Sequence, residues 1–406
     1  MRGKQVSGFP SRQEVLTKLF EKLSIPDMRE LVPLREAIGR VTAEKLYSVN
    51  TLPVCRVSGC DGIAVKSALF ADGMPDYTAW QPGVEFQRAD TGDDFPDVYD
   101  AVIMIEEVDL ASDGRILAIS PDIAVRAGDN VSGAGNTMQP GDLLIEENMP
   151  IRPTDLAALA IGGVSMVPVR KKPLVAFIPT GSELVPAGVA PYRGKNVDCN
   201  SLLAEATIRE LGGEPLVFPI VPDIRSELRA RLEEALSAAD IVVVNAGTAK
   251  GEEDFNFGLL GNRGEMICHY VAAAPGRPLA MAVIDGKPVV NLPGPAMAAF
   301  FGMDWCLRAI ISAYLHLPAY RKPAVQAVLM EDIHSTPHMA ILCKMEVRRH
   351  GGRYEAYPVD FKKTRAGAYM GTNGMFVCDV GVSFLPAGTL LEVELLRGEE
   401  FIREVE

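Results

Sequence analysis

Positive charge is what this sequence is short of. Its 40 Lys and Arg face 53 Asp and Glu, a formal net charge of −13. That excludes non-specific binding to nucleic acid or to an anionic membrane surface, both of which need a basic field. Any anionic ligand must be captured by local geometry instead. Paired cysteines are missing too. Seven cysteines (55, 60, 199, 268, 306, 343, 378) lie scattered with no C-x-x-C, so neither a zinc site nor a disulfide framework is expected. Among the five histidines, His334 and His338 stand four apart, but Pro337 between them breaks the helix that a ligand pair would need. The N-terminus MRGKQVSGF carries no apolar run of the kind a signal peptide has, and a reducing cytoplasm is the expected compartment. One long apolar stretch, AMAAFFGMDWCLRAIISAYLHL (296–317), is interrupted by Asp304 and Arg308, which can pair on one helical face. It reads as a buried or interface helix rather than a membrane span.

What is present is a chain of 406 residues, 48% hydrophobic, enough for two to four domains with substantial cores. SRQEVLTKLFEKL (11–23) opens on a Ser11-to-Glu14 capping box and carries apolar residues on one face, an amphipathic helix. LREAIGRVTAEKL (34–46) is read as a second short helix. From about 50 to 150, Gly, Pro and Asp recur between short apolar runs (AVIMIEEV, RILAISP, GDLLIEE), which predicts strands. TDLAALAIGGVSMVPV (154–169) is a helix ending at Gly-Gly and running into a strand.

Region 173–316 alternates strands with helices (200–213, with Asn200 as its cap, and 224–240), the pattern of a parallel α/β sheet. Three of its apolar runs end in small-residue loops: PLVAFIPTGSEL, IVVVNAGTAKGEEDF and KPVVNLPGPAM. Ligands of such sheets bind at the carboxyl ends of the strands, so these loops are expected to converge. Thr180, Gly181 and Ser182 offer backbone donors and hydroxyls beside Glu183. Gly247, Thr248 and Gly251 do the same beside Glu252, Glu253 and Asp254. Pro293-Gly294 allows close approach, and Pro275-Gly276-Arg277 adds a planar cation suited to phosphate. The acids have two readings. They favour the start of a following helix, or they hold a Mg²⁺ that bridges them to a phosphate-bearing ligand. The tail, 317–406, gives short alternating segments and predicts a small β-barrel or sandwich.

These motifs, in this order, resemble the molybdopterin molybdenumtransferases, the MoeA family that includes the C-terminal domain of gephyrin. VSGCDGIAVKS sits where the family has N-S-A-M-D-G-Y-A-V-R. DTGDDFPDVYDAVIMIEEV is similar to T-G-A-x-x-P-x-G-A-D-A-V-V-x-x-E. PTGSELVPAG resembles S-T-G-D-E-L-x-x-P-G, and NAGTAKGEEDF resembles S-G-G-V-S-x-G-x-x-D-Y. The resemblance implies an α/β plus β, four-domain, elongated architecture. Its parts are a helical linking domain I (1–50 and 150–172), a β-rich domain II (51–149), a three-layer α/β molybdopterin-binding domain III (173–316) and a C-terminal β-barrel domain IV (317–406). It further implies a homodimer whose site is shared between subunits, which inserts molybdate into adenylated molybdopterin with Mg²⁺ and release of AMP, for delivery to a molybdoenzyme. Carried over by position, Asp61, Thr91, Glu183, Asp223 and Asp254 are the functional residues, and Asp254, Asp223 and Glu253 the metal ligands.

The chain also departs from the family pattern. Cys60 replaces a Met, Ile63 a Tyr, and Thr137 stands where an acid is usual. A Lys-Pro-Gly-Lys-Pro loop is Ala274-Pro275-Gly276-Arg277-Pro278 here. Leu-Pro-Gly-Asn-Pro-Val-Ser is Leu292-Pro293-Gly294-Pro295-Ala296-Met297-Ala298, and Lys250 stands at an uncharged position. The alternative to an enzyme is therefore a carrier that binds the pterin without turning it over. A clustering role like gephyrin's and a MogA-type adenylyltransferase are further alternatives, the latter opposed by the additional domains.

Overall fold

The computed structural model describes residues 8–245, 260–360 and 363–405. They fall into two compact units. One is Arg29–Val169, and the other joins Met1–Met28 to Arg170–Glu406, so the first is an insertion in the second.

The chain opens with α1 (Arg12–Lys22), closed by the expected capping box. Ser11 N–H donates to Glu14 Oε2 at 2.7 Å and Glu14 N–H to Ser11 Oγ at 3.2 Å. Its buried residues, Val15 and Leu19, pack inside the larger unit and not with the 29–50 segment that sequence grouped it with. Where the chain leaves and re-enters this unit, Lys171 N–H donates to Met28 O at 2.9 Å, and buried Arg170 pairs with Asp27.

In the inserted unit, β1 (Gly62–Val65), β2 (Phe86–Ala89) and β3 (Ala101–Met104) form an antiparallel sheet in the order β2-β1-β3. Ile63, Val65, Phe86 and Ile103 make its core. A second core gathers Val32, Leu46, Ile151, Val167 and Leu159 of α2 (Pro153–Ile161). The helix expected over 34–46 is absent. Only a single 3-10 turn forms, Leu34–Glu36, because Val41 and Thr42 bridge to Pro150 and Val169. Distant strand partners override local helix preference there.

The larger unit contains β4 (Leu174–Pro179), α3 (Asn200–Glu210), β5 (Glu214–Val217), α4 (Arg225–Ala238) and β6 (Ile241–Asn245), followed by β7 (Glu265–Cys268), β8 (Ala280–Ile284) and β9 (Lys287–Leu292). The sheet order is β5-β4-β6-β9-β8-β7. The first four strands are parallel, as the alternating pattern predicts, while β8 reverses and pairs antiparallel with both β9 and β7. Every residue of β6, Ile-Val-Val-Val-Asn, is buried. Both faces of a parallel strand are covered, and each aliphatic side chain contributes roughly 1.5–3 kcal/mol.

The apolar stretch forms α5 (Ala296–Tyr314), whose middle, Met303–Leu307, is a π-helical turn. Its face Phe301, Cys306, Ile310 and Ile311 is buried, and Arg308 pairs with Asp304 at 3.1 Å, so it is a core helix of this unit. Finally β10 (Ala324–Leu329), β11 (Ala340–His350), β12 (Arg353–Pro358), β13 (Gly374–Cys378) and β14 (Leu390–Leu395) close into a five-stranded barrel. The ring runs β11-β12-β10-β14-β13 and returns to β11.

Candidate active site

The carboxyl ends of β4, β6 and β9 surround a cavity of about 460 Å³. On its wall the structure brings together Thr180, Gly181, Glu183, Asp223 and Gly294. Thr180 is fixed by two bonds to Asn245 O, from its N–H at 3.0 Å and its Oγ1 at 2.9 Å. Gly181 has a φ of +145°, and a Cβ there would lie 2.5 Å from Glu183 Oε2. The Glu183 carboxylate folds over this residue, and the positive φ strains any side chain there, so another residue would displace that carboxylate. Ser182 and Asp223 grip each other. Ser182 N–H donates to Asp223 Oδ2 at 2.9 Å, and Asp223 N–H to Ser182 Oγ at 3.0 Å.

This changes the reading of the first loop. The N–H groups of Thr180, Gly181, Ser182 and Leu184 all donate to protein acceptors. The loop is therefore not a cradle of free donors for an anion. It is a rigid mount for Glu183 and Asp223. Lys195, which the sequence reading passed over, donates from Nζ to Ser182 O at 2.5 Å and brings a cation to the loop's edge. A neighbouring cavity of about 660 Å³ shares Gly181 and has apolar walls at Leu202, Phe218 and Ile220.

Three more placements were not legible in sequence. Asn200 does not cap α3. Asn200 is its first residue and Cys199 the cap position, while Asp198 just before accepts from Ser201 N–H at 3.0 Å and Ser201 Oγ at 2.6 Å. Asn200 instead donates to Asn245 Oδ1 and to Gly294 O, both at 2.8 Å, and Asn245 donates to Pro293 O at 3.0 Å. An Asn at a strand end reads as a turn former and one at a helix start as a cap, so neither residue signalled this in the sequence.

The Pro275-Gly276-Arg277 loop lies at the same sheet edge, since Ala280 stands in register with Asn291. However, Pro275, Gly276 and Arg277 are off the cavity wall, Arg277 is exposed, and Pro293 has turned its carbonyl to Asn245. Gly247, Thr248, Lys250, Gly251, Glu252, Glu253 and Asp254 lie outside the described residues.

In the inserted unit, Asp61 Oδ1 accepts from both the N–H and the Oγ1 of Thr91, each at 2.7 Å. The Thr91 N–H, then its hydroxyl, holds the Asp61 carboxyl below the usual carboxylate range. The two functional residues that the resemblance placed in this part of the chain are thus bonded to each other. Among the described residues no three His, Cys, Asp or Glu gather as a metal cluster. Glu183 and Asp223 nevertheless suit Mg²⁺, a hard cation that takes one or two carboxylates and completes its shell with phosphate oxygens and water.

Residues 11–163 match the family model "MoeA N-terminal region (domain I and II)", and residues 176–313 match the model "Probable molybdopterin binding domain". The chain is similar to the molybdopterin molybdenumtransferase of Haemophilus influenzae, with 27% identity over 84% of this chain and 83% of that protein. It is similar to that of Bacillus subtilis at 25% over 91% and 90%. Two crystal structures of the molybdopterin biosynthesis MoeA protein of Pyrococcus horikoshii superpose with TM-scores of 0.79 and 0.73, at 25% and 23% identity. Each match covers 96% of this chain and all of theirs. With the N-terminal MoeA region and the molybdopterin-binding domain following one another as the motifs foretold, the chain belongs to the MoeA family.

Proposed function

We propose that this chain is a molybdopterin molybdenumtransferase that inserts molybdate into adenylated molybdopterin and releases AMP. The observation that carries the reading is the pair of carboxylates, Glu183 and Asp223, mounted on one rigid loop pair at the carboxyl edge of the sheet. With Asp254 and Glu253 from the following loop, they would hold Mg²⁺. That ion would neutralise the phosphoanhydride and polarise its phosphorus–oxygen bond. The chain's own work is positional. Ser182 locks Asp223, Gly181 leaves room for Glu183, and the first turn of α5, which has no side-chain cap, would offer its N–H groups to anionic ligand oxygens. Lys250 and Thr248 would supply the remaining donors that the first loop has spent on the protein. The active species would be a cytoplasmic homodimer serving a molybdoenzyme.

The test is AMP release from adenylated molybdopterin with Mg²⁺ and molybdate. Wild type is expected to release AMP. Asp223→Ala and Asp254→Ala are each expected to lose at least about 10²-fold in rate, typical of a lost transition-state charge contact. Equal turnover in both variants would overturn the metal-site reading. One observation favours a second reading: Arg277 stands off the cavity and the first loop has no spare N–H groups beyond Glu183's. Tight pterin binding by wild type without AMP release would make the chain a carrier.

A further inference from the structure

The site's third loop lacks a side chain that could hold its own shape. Pro293, Gly294, Pro295 and Ala296 carry no side-chain donor or acceptor, and the similar family pattern has an Asn where Pro295 stands. Two buried amides lie directly behind this loop. Asn245 is 2% exposed and Asn200 is 7% exposed. We infer that Asn245 and Asn200 form an amide lock that positions the Pro293-Gly294 loop, replacing from the strand end the polar side chain this loop lacks. The inference rests on the proposed function for its effect on ligand, but not for its effect on the loop.

The bonding supports this at every atom. Asn245 Nδ2 donates to Pro293 O at 3.0 Å, and Asn200 Nδ2 donates to Gly294 O at 2.8 Å. A second bond from Asn200 Nδ2, to Asn245 Oδ1 at 2.8 Å, ties the two amides into one unit. The main chain of Asn245 meanwhile receives both Thr180 bonds. One residue at the end of β6 therefore joins the loops after β4 and β9 to the start of α3. Two consecutive carbonyl oxygens are engaged by buried donors. Left unpaired, they would stand beside a cavity that has to take an anion, and repel it.

Asn245 stands where the family pattern has Ser. A serine hydroxyl can donate one bond and accept another, but its oxygen lies one bond nearer the backbone than the amide atoms of Asn245, so it falls short of Pro293 O and Asn200 Nδ2 together. The exchange at 245 and the loss at 295 fit together as one substitution of means. Each carbonyl loses a buried partner if the lock is removed, which costs about tenfold in the closed population of the loop.

The experiment uses the full chain and the variants Asn245→Ser, Asn245→Ala, Asn200→Ala and the double Asn200→Ala/Asn245→Ala. Backbone hydrogen exchange is measured without ligand, and affinity for adenylated molybdopterin is measured separately. Exchange over 292–299 is expected to rise about tenfold in each single variant. The double should show no further rise than the larger single effect, since both amides serve one lock. Exchange in the barrel should be unchanged, and affinity should fall in parallel. Asn245→Ser should behave like Asn245→Ala, although it restores the residue of the family pattern. An unchanged 292–299 segment, or fully additive effects, would overturn the lock. Raised exchange in the variants, with no pterin binding even by wild type, would leave the lock standing and remove the proposed function instead.

Discussion

At the scale of single residues, close approach decides more than chemistry does. Gly62 begins β1 beside β3, and a Cβ there would lie 1.9 Å from Ile103 O. Gly62→Ala must part the two strands, and the expected cost is at least about 1–3 kcal/mol, read as a lowered unfolding midpoint. Stability within error of wild type would show that the strands yield freely. The motif VSGCDGIAVKS was legible as a turn carrying an acid before a strand. The resemblance carried over Asp61 and Thr91 separately, and their bond to each other was not legible, because a bond across 30 residues leaves no local trace in sequence. The same holds for Asn200 and Asn245, whose roles exist only once four loops meet.

At the scale of elements, helices announced themselves wherever their own face buried them. α1 follows from its periodicity and capping box, and α3 and α4 from their alternation with strands. The 34–46 segment did not, since its pairing partners lie more than a hundred residues away. In the barrel, β11 buries Lys344, 3% exposed, with its Nζ 5.2 Å from the centre of the Phe300 ring. Burial, aided by the neighbouring cation Lys322 and opposed by Asp304, lowers its pKa from 10.5 to about 8. Below pH 8 the folded protein carries this charge at a penalty. Between pH 8 and 10.5 the unfolded chain binds a proton that the folded one does not, so stability from this group rises with pH. Lys344→Met, similar in volume and uncharged, is expected to be more stable than wild type at pH 7 by about 1–4 kcal/mol. The difference should shrink as the pH approaches 10.5, followed by chemical denaturation across that range. A constant difference would assign the effect to packing.

At the scale of the molecule, the sequence separated β-rich from α/β texture but did not show which pieces are continuous. Residues 29–169 leave and return at one spot, where Lys171 meets Met28 and the strands Arg29–Pro33 and Met166–Arg170 pair. Joining residue 28 to residue 170 through a short Gly-Ser linker should therefore give a folded protein that keeps Glu183 and Asp223 in place. Residues 29–169 alone, with three hydrophobic clusters of their own, should fold as well. Each is expected to unfold in one cooperative thermal transition. A broad, non-cooperative melt of either piece would mean that it depends on the other.

That arrangement also sets an order of events during synthesis. α1 leaves the ribosome well before its packing partners β7, β8 and α5, which end only at Tyr314. At roughly 5–20 residues per second the helix waits for tens of seconds. During that wait the inserted unit can complete itself, holding the first segment of the chain close to the point where the rest will emerge. A helix made early is among the last to find its place.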